Sequence, residues 1–241
     1  MSTEVLNDTL DQPTSPMSET LPPLENGDRL TRLEFERRYD AMSHLKKAEL
    51  IEGVVYMPSP VRVKSHGKPH GQIMTWIGAY CAATPNVDFA DNSTLRLDPD
   101  NEPQPDATLW INEAAGGRAR ISDDDYLEGS PELIVEIAAS TASYDLHDKM
   151  KVYRRNGVRE YIVWRVYDRQ IDWFYLESEQ YARLSDTEGI LESRVFPGLR
   201  LDAVALIEGD LARVLAELQK GLASDAHSAF INRLSAAIRK E

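Results

Sequence analysis

Between Pro131 and Ser140 the chain reads Pro-Glu-Leu-Ile-Val-Glu-Ile-Ala-Ala-Ser, an apolar run with a carboxylate, Glu136, at its centre. Such a run predicts a central strand over Glu132–Ala138. Burying an ionised carboxylate costs on the order of several kcal/mol unless a partner compensates it. Any fold that uses this strand must therefore bring positive charge to Glu136. The segment Asp145-Leu-His-Asp-Lys149 follows, and it places a lysine at the start of a predicted helix. A lysine and a divalent metal ion are the two partners that these residues suggest.

The rest of the chain supplies the layers around that strand. Thr31-Arg-Leu-Glu34 fits a capping box, with Leu33, Phe35, Tyr39 and Met42 on one side of the helix it starts. Ala48–Met57 reads as a strand, or as two strands turning at Gly53. A helix is expected from Pro69 to about Ala83, because proline suits the first helical turn. Asn92–Leu97 and Asp106–Ile111 read as strands on either side of a turn cluster, and residues 113–130 as a loop. Asp145–Asn156 reads as a helix stopped at Gly157. Glu160–Val166 and Gln170–Leu176 form a predicted hairpin, with a third strand near Gln180–Leu184. Asp202–Leu218 and Asp225–Arg239 read as closing helices. This order predicts an α/β fold, a central mixed β-sheet flanked by α-helices.

Residues 1–27 carry seven Ser/Thr, four Pro, five acids and no Lys or Arg, which predicts a disordered tail. A domain over residues 28–220 and a C-terminal helical extension over 221–241 are expected to follow. The single cysteine, Cys81, excludes an internal disulfide and a cysteine-based zinc site. With no long apolar run and no signal-peptide pattern, a cytoplasmic protein without membrane contact is expected. No P-loop and no G-x-G-x-x-G suggests a nucleotide cofactor. The net charge of -13 disfavours indiscriminate binding to a polyanion, so any nucleic-acid contact must come from a local basic patch.

Four ionisable residues stand out from strand-like or helical surroundings: Glu52, Asp106, Glu136 and Lys149. If the strands carrying Asp106 and Glu136 lie side by side, both carboxylates come within reach of one hard cation. Other readings stay open. Asp106 is also a turn acid after Pro105, Glu136 an ion-pair partner for Arg159 or Arg165, and Glu52 a turn residue beside Gly53. His66 and His70 flank a Gly-Lys-Pro segment and read as loop residues at the rim of a site. Lys149, Lys151, Arg154, Arg155 and Arg159 concentrate positive charge, either as a phosphate-facing patch or because helix C-termini favour cations.

Taken in order, the ELIEG element, a histidine, Pro105-Asp106, PELIVEIAASTAS, Asp145, Lys149, Tyr153 and Asn156-Gly-Val-Arg-Glu-Tyr161 resemble the Uma-two family of restriction-endonuclease-like proteins, in the PD-(D/E)xK nuclease superfamily. The resemblance spans roughly residues 30–215 and implies a restriction-endonuclease-like fold. It implies a Mg²⁺- or Mn²⁺-dependent endodeoxyribonuclease with Asp106, Glu136 and Lys149 as catalytic residues. Asp106, Glu136 and the Ile137 carbonyl are its implied metal ligands, Glu52 its auxiliary acid, and one of His66 and His70 the histidine that touches the phosphate or positions water. DNA would be the partner, held by Lys151, Arg154 and Arg155, and a homodimer would cut both strands. One departure stands out: the superfamily's lysine lies two residues after the glutamate, where this chain has Ala138. Lys149 must then arrive from the following helix. A catalytically silent binding or assembly module on the same scaffold is the alternative, and a carboxylate-pair hydrolase acting on a glycoside a weaker one.

Overall fold

The computed structural model describes residues 21–57, 61–139 and 141–239. Its centre is a six-stranded mixed sheet in the order Gln180–Arg183, Gln170–Glu177, Glu160–Arg165, Leu133–Ala138, Ala107–Ile111, Val87–Asp91. Leu133–Ala138 runs parallel to Glu160–Arg165 and antiparallel to Ala107–Ile111. All six of its residues are buried, because both faces of the sheet are covered. Leu133, Val135 and Ile137 face the larger core, which holds Trp76, Ile77, Trp173, Leu206 and Phe230. Ile134 and Ala138 face a second core built with Val152, Tyr153, Val158 and Tyr161. Side chains alternate along a strand, so Glu136 points toward the second core.

The helix Lys68–Ala82 covers the first face through Ile73, Trp76, Ile77 and Tyr80. The helix Met150–Arg155 covers the second through Val152 and Tyr153. A third, smaller core joins Leu24, Phe35, Ala48, Leu50 and Val55. The helix Arg32–Asp40 packs there, and its Thr31 cap accepts a hydrogen bond from Glu34 N–H. Residues 1–20 of the expected tail lie outside the described residues. Leu24, inside the same expected segment, is buried.

Several elements depart from the sequence expectation for local reasons. The strand expected at Asn92–Leu97 is instead Val87–Asp91 and a short Leu95–Arg96; Asn92 at φ 48° ends the first. The loop expected at 113–130 contains an antiparallel pair, Ala119–Ile121 with Leu127–Gly129. Ala119 and Leu127 anchor it in the second core, and two anchors among Gly and Asp give too weak a periodic signal to read. The helix expected at Asp202–Leu218 is broken into Ala203–Glu208 and Leu211–Leu222. Gly209 at φ 82° ends the first piece and Asp210 caps the second. The last helix, Asp225–Ile238, sends Phe230 and Leu234 into the larger core. Among the described residues, no helix is long and apolar enough to cross a membrane.

Candidate active site

The antiparallel register pairs Ala107 with Val135, and continuing it by one residue sets Asp106 opposite Glu136. Directly opposed residues share a face of the sheet, so the two carboxylates project into the same space. Asp106 is held on three sides: its Oδ2 accepts a 2.7 Å hydrogen bond from Ile137 N–H, its Oδ1 lies 3.0 Å from His66 Nε2, and Lys47 Nζ stands 3.9 Å away. Burial pushes the Asp106 carboxyl up, but His66, Lys47 and the Ile137 amide outweigh it and hold it below the usual aspartate range. His70 Nε2 lies 2.9 Å from the Asp106 carbonyl oxygen and 3.0 Å from Asp91 Oδ1.

Glu136 receives its cation from Lys149. Lys149 Nζ donates to Glu136 Oε1 at 2.9 Å and to Glu49 Oε1 at 2.8 Å, and Asp145 Oδ1 lies 4.0 Å away. Tyr153 Oη donates to the same Glu136 oxygen at 2.8 Å. The side chains of Lys149 and Glu136 are each 4% exposed, and that of Glu49 7%. Burial pushes Glu136 up to about 8; Lys149 opposes this, and Asp145, Asp106 and Glu49 add to it. Burial likewise raises Asp145 to about 6. For Lys149, burial works against the charge, but the three surrounding carboxylates prevail and hold it well above the ordinary lysine range.

Local backbone explains how the lysine gets there. Asp145–Lys149 forms a π-helical turn that runs into the helix Met150–Arg155. The wider turn departs from α-helical spacing, and Asp145 and Lys149 are both buried on it. Lys151, two residues on, has a side chain 62% exposed and lies 3.8 Å from Glu52. The segment that presents His66, Val63–Gly67, is a second π-helical turn leading into Lys68–Ala82.

The acid beside the lysine is Glu49, where the ELIEG element had suggested Glu52. Glu52 sits at φ 52° and Gly53 at φ 71°, the two central residues of the hairpin joining Glu49–Ile51 to Val54–Tyr56. Its carboxylate turns outward to Arg155 at 2.6 Å. The signal for Glu49 was present, since it is a lone acid in Ala-Glu-Leu-Ile, the pattern that singled out Glu136. Asp145 and Tyr153, marked in the sequence only by their place in the motif order and given no role there, also join the cluster. Arg165, weighed as a partner for Glu136, pairs with Asp168 and Asp172 instead. The three cations expected to face phosphate are engaged locally: Arg155 with Glu52 and Asp98, Lys151 near Glu52, and Arg154 with the Glu179 carbonyl.

The donor set suits a hard cation. Glu49, Asp106, Glu136 and Asp145 bring more negative charge than Lys149 and the peripheral Lys47 neutralise. Among the described residues, no three His, Cys, Asp or Glu side chains are grouped to hold an ion between them. Mg²⁺ does not need such a cage, because it commonly binds through one or two carboxylates and keeps several waters. Among the described residues, the hydrogen bonds to the Glu136 carboxylate all fall on Oε1, leaving Oε2 as an acceptor.

Comparisons with known proteins bear on the fold and the family. A crystal structure from Anabaena variabilis, described as a "putative nuclease belonging to DUF820", superposes with a TM-score of 0.51 at 10% identity, covering 71% of this chain and 97% of that one. At that identity the likeness speaks for the fold, a restriction-endonuclease-like one. No curated protein matches significantly. A family model with the description "Putative restriction endonuclease" matches residues 33–204. That span includes every residue of the Asp106, Glu136 and Lys149 cluster, and the chain belongs to this family, Uma2.

Proposed function

We propose that the protein is a metal-dependent endonuclease that hydrolyses phosphodiester bonds in DNA. The observation that carries this reading is the buried Lys149, pinned by Glu49 and Glu136 on the same face of the sheet as Asp106. Asp106 and Glu136, with the Ile137 carbonyl, are the residues that would hold Mg²⁺ or Mn²⁺. When bound, such an ion supplies Lewis-acid stabilisation of the phosphate and makes a nearby water more acidic. Lys149 keeps its proton throughout and sets a fixed positive charge against the phosphate. Tyr153 and Glu49 orient Glu136 and Lys149, and His66 holds Asp106 in its ionised form.

The test is cleavage of duplex DNA by purified protein in Mg²⁺ or Mn²⁺. Loss of cleavage in Asp106→Asn and Glu136→Gln supports the reading; unchanged cleavage in both overturns it. One site per chain cuts one strand at a time, so a homodimer is the arrangement we propose for a concerted double-strand break. Sedimentation of the protein on duplex DNA as one copy per site counts against the dimer.

A second reading, a catalytically silent binding module, has one observation in its favour. Ala138 fills the superfamily's lysine position, and Lys149 already satisfies two carboxylates. Calorimetry separates the two: Mn²⁺ binding that disappears in Asp106→Ala supports the enzyme, and no Mn²⁺ binding alongside DNA binding supports the module.

A further inference from the structure

From Gly53 to Val87 the chain contains no Asp or Glu, although the whole protein holds 40 of them against 27 Lys and Arg. This acid-free stretch presents Arg62, Lys64 and Lys68, and it delivers His66 and His70 to Asp106. Arg62, Lys64 and Lys68 are exposed. Among the described residues, none of their side chains makes a hydrogen bond or ion pair. The Arg62 carbonyl accepts hydrogen bonds from the His66 and Gly67 amides, so Arg62 is tied one helical turn from the residue that touches Asp106. Lys47, from the other side, stands 3.9 Å from the same carboxylate. Val61 and Val63, 67% and 78% exposed, alternate with the two cations.

The arrangement contrasts with the helix Met150–Arg155, whose cations are tied to Glu52, Asp98 and a backbone carbonyl. A chain of charge -13 repels a polyanion at long range. A nucleic acid therefore approaches most favourably along a segment that carries no acid of its own and whose cations are free of internal partners. We propose that the segment Val61–Lys68 is the nucleic-acid docking face of this protein. In this assignment Arg62, Lys64 and Lys68 bind backbone phosphates along the segment that carries His66 to Asp106, and Val61 and Val63 pack against the sugars. The assignment rests on the nuclease reading for its choice of ligand, but its test does not require cleavage.

The experiment is fluorescence anisotropy in chelator, with duplex DNA, single-stranded DNA and RNA of one sequence, titrated over a range of KCl. The variant Arg62→Ala/Lys64→Ala/Lys68→Ala is expected to bind duplex DNA at least about tenfold more weakly. Its plot of log affinity against log salt is expected to flatten by about 0.9 for each phosphate that the variant no longer neutralises. The variant Arg169→Ala/Arg183→Ala/Arg194→Ala removes the same charge near the opposite edge of the sheet and should change affinity less than about twofold. Single-stranded DNA or RNA bound more tightly than duplex would keep the face and change the nucleic acid it takes. Wild-type affinity and salt slope in the first variant, with an unchanged melting temperature, overturn the assignment. So does wild-type protein that binds none of the three nucleic acids. Unchanged cleavage in both Asp106→Asn and Glu136→Gln overturns the nuclease reading at this site alone, because binding in chelator is scored separately.

Discussion

Lys149 Nζ lies 2.9 Å from Glu136 Oε1, and it reaches that oxygen from the π-helical turn after the strand instead of along the strand itself. Lys149 also holds Glu49 at 2.8 Å, so one ammonium ties the N-terminal hairpin to the central strand. It is the cation that permits a glutamate in an otherwise apolar strand, and its removal has consequences for folding as well as for any chemistry.

Lys149→Met is expected to destabilise the protein strongly at pH 8, by about 3–5 kcal/mol, the usual cost of leaving buried charges unpaired. The loss should shrink at pH 5, where Glu136 and Asp145, raised to about 8 and about 6, are protonated. Chemical denaturation at the two pH values checks this. Equal losses at both would mean that the carboxylates do not depend on Lys149.

Glu136 and Asp145, together with Glu160, buried against the Ser193 hydroxyl and the Arg194 and Val195 amides, also give the wild-type protein a pH dependence. Burial holds Glu136 at about 8, Glu160 at about 7 and Asp145 at about 6, against ordinary values of 4.5, 4.5 and 3.8. The folded state therefore keeps protons that the unfolded chain has already lost, and rising pH favours unfolding through this window. The melting temperature is expected to fall between pH 5 and pH 8.5. Mg²⁺ should restore part of that loss at pH 8.5 and little at pH 5, because the ion binds ionised carboxylates. A melting temperature that is flat across the range, with and without Mg²⁺, would contradict both expectations.

Glu49 and Glu52 lie three residues apart and face different surroundings. Glu49 touches Lys149, whereas Glu52 pairs with Arg155 on the surface. On the proposed nuclease function, Glu49→Gln is expected to lower kcat for DNA cleavage by about ten- to a hundredfold, the usual effect of losing a group that orients a metal-site residue, with KM nearly unchanged. Glu52→Gln should leave both within about twofold. Steady-state kinetics on the two variants decides between the acids.

His66 donates toward Asp106 and keeps that carboxylate ionised. His66→Ala should move the acid limb of the pH–rate profile upward by about one unit, and His66→Gln, which keeps a donor, should restore part of it. An acid limb that does not move in His66→Ala would show that the histidine does not control this carboxylate.

What the sequence determined by itself was local. Apolar runs predict the central strand and the hairpin after it, Thr31 predicts its helix, and Glu136 within its apolar run demands a cation. Asp106 and Lys149 are marked by their order relative to Glu136 and by the resemblance built on that order. The pairing of charges was left to tertiary structure, because it depends on which backbone direction each side chain leaves from. The hairpin turn rotates Glu52 outward and leaves Glu49 inside. The π-helical turn buries Lys149 while Lys151 stays in solvent. The antiparallel register sets Asp106 opposite Glu136 across two strands. Each outcome follows from a turn or a register, and both are settled by packing between segments far apart in the chain.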